Sequence, residues 1–264
     1  MKILDWRNHH QRIDVVNSIL GSEILEDISK SKIESCWSDD LSWLPDNFDI
    51  ESFEKKFLEN FRAIKCFHAC SPISIENYLI NGFTGGNHEE NIALFNSIFS
   101  DIPLHHRESA IEKSSSSRKD EINKTFFLCD SYRLINRDGN YLIYGSEYLT
   151  VLAVNLPVQR FSNEDFRQRL KGFGIPTIFE ADIDFSLLDH YQIDQLLFCS
   201  LADWGNYYLF NKDFTPYEMS IIAKQKLPPS VIVHHWHPEK IHDPYHYGNW
   251  YISKKTTCKM CEKL

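Results

Sequence analysis

Ala63-Ile64-Lys65-Cys66-Phe67-His68-Ala69-Cys70-Ser71-Pro72, continuing to Phe83, is the stretch on which the reading of the fold turns. Ala63 to Phe67 is a short apolar run that predicts a buried strand, with His68 at its end. Ser71-Pro72 stops a strand and opens a helix. Ile73, Ile75, Tyr78 and Leu79 then recur at helical spacing until Asn81-Gly82-Phe83, where the glycine closes the helix. A side chain at such a junction reaches a cleft without belonging to the core, which makes His68 the first candidate functional residue.

Outward from this stretch, Lys124 to Asp130 predicts a second strand, and Leu149 to Leu156 a third, stopped by Pro157. Ile178 to Ile183 predicts a late strand carrying Glu180. Between the second and third lies Gly139-Asn140-Tyr141-Leu142-Ile143-Tyr144-Gly145-Ser146-Glu147-Tyr148. If residues 140–148 form a turn or two of helix, Tyr141, Tyr144, Glu147 and Tyr148 share one side. Their rings offer a stacking surface, and their hydroxyls can orient the carboxylate.

The order of these pieces resembles the ADP-ribosyltransferase fold, in its poly-ADP-ribose polymerase and bacterial toxin branches, over roughly residues 63–200. That fold implies a split antiparallel sheet, so the expected class is α+β with a helical N-terminal extension. In the family a strand-end His-Gly-Thr or His-Gly-Ser precedes a helix ending in Gly-Phe or Gly-Leu; a second strand of the Tyr-Phe-Ala-Asp type, a tyrosine-bearing helix and a third strand follow. The resemblance implies that His68 binds a ribose hydroxyl of NAD and that the backbone of Ala69 holds the nicotinamide amide. It implies further that Tyr141 or Tyr144 stacks on nicotinamide. Ala69 stands where the family has glycine, Cys70 where it has Thr or Ser, and Phe127 where many members have tyrosine. Cleavage of the nicotinamide bond passes through an oxocarbenium-like ribose that a carboxylate must stabilise, a role for Glu147 or for Glu180.

The expected activity is transfer of ADP-ribose from NAD to a protein, RNA or DNA. Bacterial members of this fold are often toxins or anti-phage effectors held by a neutralising partner, for which the acidic N-terminal region is the expected contact. The alternative is a non-catalytic or zinc-stabilised interaction protein that retains the fold. A nuclease is a third class, but no paired acidic motif at metal-binding spacing is present in the sequence.

Three expected regions follow: a helical extension over 1–62, a core over 63–230 with an insertion at 84–124, and a His/Cys-rich extension over 231–264. In the first, Val15, Val16, Ile19 and Leu20 precede an interruption at Gly21-Ser22, and Phe53, Phe57 and Phe61 line a second helix. The insertion holds one helical pattern, Ile92 to Phe99, and a mobile serine-rich end from Ser114 to Lys119. Gln159 to Gly174 predicts a basic amphipathic helix. In the tail, Val231-Ile232-Val233 predicts a strand leading into His234-His235-Trp236-His237. His234 and His237 with Cys258 and Cys261 would make an N2S2 site for structural zinc, although no metal is assigned on spacing alone.

Composition limits these readings. With 264 residues, 42% hydrophobic, the chain can bury a full core. No window approaches a membrane span of about 20 apolar residues, and no apolar leader follows Met1, so a cytoplasmic protein is expected. Seven cysteines, several in apolar strands, fit reduced thiols. A net charge of -9 opposes nonspecific binding to a phosphate backbone.

Overall fold

The computed structural model describes residues 2–30, 33–86, 88–115, 124–157, 164–212, 218–246 and 248–263. The chain opens with β1 (Lys2–Leu4), after which the Asn8 side chain accepts from the Gln11 backbone N–H and starts α1 (His9–Ser29). This helix runs through Gly21-Ser22 without the predicted break. A glycine inside a helix costs about 1 kcal/mol, less than the contacts of the buried face that carries Val15, Val16 and Ile28. Asp49 caps α2 (Ile50–Asn60), which buries Phe53 and Phe57 as the apolar spacing requires.

β2 (Phe61–Cys70) follows without a loop and is longer than expected, so His68 lies within the strand instead of at its end. Ala69 and Cys70 continue the extended backbone, and α3 (Glu76–Asn81) is correspondingly short, leaving Ile73 exposed. Gly82 ends α3 at φ +72, and a Cβ there would lie 2.0 Å from the Leu227 carbonyl oxygen. Only glycine fits that approach.

The predicted insertion contains two helices, α4 (His88–Ile98) and α5 (Leu104–Ser115). Of its serine-rich end, positions 116–119 lie outside the described residues. β3 (Thr125–Leu128) is the expected second strand, followed by α6 (Ser131–Asn136) and α7 (Asn140–Ile143). The predicted third strand, Leu149 to Leu156, is instead helical within α8 (Glu147–Val154). Ser146 caps this helix by accepting from Leu149 N–H, and Tyr148, Leu149, Thr150, Leu152 and Ala153 are buried nearly all round it. A short apolar run that is buried on every side has no period to distinguish helix from strand. Of the predicted basic helix, residues 159–163 lie outside the described residues, and the remainder holds a 3-10 turn, Phe166–Leu170.

β4 (Thr177–Asp184) carries Glu180 as expected, and α9 (His190–Phe210) is one helix capped by Asp189. β5 (Ser220–Ala223), β6 (Ile232–Trp236), β7 (Lys240–His242) and β8 (Trp250–Ile252) complete the chain. The main sheet has the order β5-β3-β2-β4-β6, with β1 added parallel to β2; β4 and β6 pair antiparallel, and β7 with β8 forms a separate ribbon. The class is α+β, and the parallel β1 makes the six-stranded sheet mixed.

Two compact units comprise Met1–Cys66, Leu128–Asp130 and Asp182–Ile221 on one hand, and Phe67–Phe127, Ser131–Ala181 and Ile222–Leu264 on the other. They do not follow the expected boundaries after residues 62 and 230. In the first unit α1 packs along α9, so the N-terminal helix is part of a core and not an extension. Arg12 there meets Asp203 at 2.8 Å, both buried, and its guanidinium also donates to the Trp6 carbonyl. In the second, α4, α5 and the 3-10 turn enclose α8. No helix among the described residues is long and apolar enough to cross a membrane.

Candidate functional site

His68 stands in an aromatic enclosure. Its ring lies 5.6 Å from Phe127, 5.3 Å from Phe83 and 6.0 Å from Tyr78, and Phe179 closes the group at 4.7 Å from Tyr78. Nδ1 is 2.9 Å from the Phe126 carbonyl oxygen. A carbonyl only accepts, so Nδ1 carries the proton and Nε2 is left as an acceptor. Burial lowers the imidazole from its ordinary value, against a smaller opposing effect of the Phe126 carbonyl. A neutral ring with a fixed tautomer can accept a hydrogen bond from a hydroxyl. Ala69 is buried beside it, and burial pushes the Cys70 thiol up to about 12, which keeps it protonated.

Side-chain alternation along the strands separates His68 from Glu180. Phe179 joins the His68 group, so Glu180, the next residue, points to the other face. There it pairs in register with His234, whose ring stacks on Trp236, and Trp236 meets Phe67 at 5.9 Å. The sheet therefore does not bring His68 and Glu180 together. Glu147 opens α8 behind the Ser146 cap, and Tyr141, Tyr144, Glu147 and Tyr148 do not share one helix, because the break at Gly145, φ +81, falls between them.

The two candidate stacking rings differ in their commitments. The Tyr144 hydroxyl donates to Asp243, 2.9 and 2.7 Å from its carboxylate oxygens, and the Lys171 ammonium lies 5.3 Å from the ring centre. Asp243 also accepts from Lys171 at 2.9 Å and from the Tyr245 N–H at 3.1 Å. Burial raises the Asp243 carboxyl, but Lys171 and Tyr144 together hold it below its ordinary value. Tyr144 is thus built into a buried polar cluster. Burial, aided by the nearby Glu147 charge, pushes Tyr141 up to about 12.

The tail residues meet in a combination different from the predicted one. His234 faces Glu180, whereas His235 and His237 share the opposite face of β6 and its end, where Cys258 and Cys261 join them. The period of two in a strand explains the correction: positions 235 and 237 point one way, 234 and 236 the other.

No family model, curated protein or solved structure matches this chain.

Proposed function

We propose that the chain is an ADP-ribosyltransferase that uses NAD as donor and a macromolecule as acceptor. The observation that supports this reading best is the neutral, tautomer-fixed His68 with an aromatic wall beside it, a pairing suited to a ribose hydroxyl next to a flat ring. In this reading His68 accepts from the ribose, the Ala69 backbone holds the nicotinamide amide, Phe127 supplies apolar wall, and Tyr141 stacks. A carboxylate then stabilises the oxocarbenium-like ribose.

The test incubates NAD labelled in its adenylate phosphate with the purified chain and cellular protein, RNA and DNA fractions. His68→Ala, Glu147→Gln and Glu180→Gln are run alongside. Label is expected in one fraction, reduced about 100-fold or more by His68→Ala and by one of the two glutamate changes. Absence of label in every fraction, with no NAD binding by calorimetry, rejects the transferase. A second reading, a non-catalytic protein stabilised by zinc, is favoured by the His/Cys cluster of the tail and predicts that negative result.

A further inference from the structure

We infer that His235, His237, Cys258 and Cys261 bind one zinc ion, which fastens the segment after β8 to the end of β6. This site stands independently of the transferase reading. Its four ligand atoms all lie within 4.8 Å of one another. His235 Nε2 is 3.5 Å from Cys258 Sγ and 3.3 Å from Cys261 Sγ, and the two sulfurs are 3.6 Å apart. A tetrahedron built on Zn–S of about 2.3 Å and Zn–N of about 2.0–2.1 Å has edges of roughly 3.3–3.8 Å. The three separations among His235, Cys258 and Cys261 fall in that range, and the His237 ligand atom lies within 4.8 Å of each of them. A disulfide needs about 2.05 Å between sulfurs, so this pair is a dithiol.

His237 provides a second, independent observation. Its Nδ1 lies 3.1 Å from the Pro176 carbonyl oxygen and 3.2 Å from the Thr177 hydroxyl. The carbonyl fixes the proton on Nδ1 and turns the Nε2 lone pair inward. Nε2 is buried and has no hydrogen-bond partner among the described residues. Buried polar atoms are rarely left so, and an imidazole whose other nitrogen is tied to a carbonyl is the usual form of a metal ligand. Two thiolates and two imidazoles suit zinc, and four protein ligands leave no position for substrate, so the role is structural.

The local chain shows what the ion would hold. Between β8 and the 3-10 turn Cys261–Lys263 there is neither helix nor strand. The segment is tied by Ser253 N–H to the Glu239 carbonyl and by the Lys255 ammonium to the carbonyls of Gly172 and Phe173. The Glu262 N–H bonds the Cys258 carbonyl, forming the turn that aims both thiols at His235.

The full chain, purified under reducing conditions from zinc-supplemented medium, is assayed for metal by mass spectrometry and then titrated with Co2+ after zinc removal. One zinc per chain is expected, with the visible bands and thiolate charge transfer of tetrahedral S2N2 cobalt. His237→Ala and Cys258→Ser should weaken zinc binding at least about 100-fold, beyond what loss of an outer-shell partner does, while His234→Ala should leave it unchanged. A metal-free chain that gives no tetrahedral cobalt spectrum overturns the proposal. So does an equal loss in His234→Ala and His237→Ala. The cobalt titration of the unaltered chain decides the matter even where a variant fails to fold.

Discussion

At the scale of single residues, the consequences of burial are directly measurable. The His68 imidazole is held below its ordinary 6.5 by burial. Between the folded value and 6.5 the unfolded chain therefore binds more protons, so stability rises with pH in that window. The contribution is fully present above pH 6.5 and is lost as the pH falls below it. His68→Gln should shrink the drop in urea midpoint between about pH 7.5 and about pH 5.5; an unchanged drop would show that folding leaves the His68 imidazole at its ordinary value. Gly82→Ala forces a methyl against the Leu227 carbonyl at a positive φ and should cost about 2 kcal/mol or more. His68 was legible as a candidate because a polar side chain ended an apolar run. Asp243 was not, because its partner Tyr144 lies far away in the chain and local spacing carries no sign of it.

Among the elements, α8 has the sharpest consequences. Ser146→Ala removes the Leu149 cap and a 2.8 Å bond to the Asn91 side chain, and should cost about 1 kcal/mol. Leu152→Ala, at a fully buried position, should cost roughly 2–5 kcal/mol. Both are read from denaturation midpoints, and a neutral Leu152→Ala would contradict the enclosure of α8 by its neighbours. This helix is also the element that sequence misassigns, since Leu-Thr-Val-Leu-Ala-Val suits a buried strand equally well. β6 shows the opposite case: Val-Ile-Val predicts a strand, and the period of two then assigns His235 and His237 to one face with no tertiary information at all. The pairing of His234 with His237 set that period aside.

For the whole molecule, the buried Arg12–Asp203 pair is a test of how the core that contains α1 and α9 is held. Burial pushes the Asp203 carboxyl up to about 6, against the hydrogen bond and charge of Arg12. Arg12→Met leaves that carboxyl alone in the core and should destabilise by about 3–5 kcal/mol, whereas adding Asp203→Leu should recover most of the loss in a double-mutant cycle. Additive losses would mean that the two charges do not interact. The net charge of -9 carries a further expectation, that random duplex DNA is not retarded at physiological salt. The sequence by itself determined α2, the strands around Phe67, Phe126 and Phe179, the glycine stop at Gly82 and the donor types available for zinc. These follow from local periodicity, turn chemistry and side-chain identity. Only the tertiary structure decided that α1 belongs to the core with α9, that Glu180 and His68 face opposite ways, and that Cys258 and Cys261 reach His235 and His237. Each of those depends on strand register or on contacts between distant parts of the chain, which no local pattern encodes.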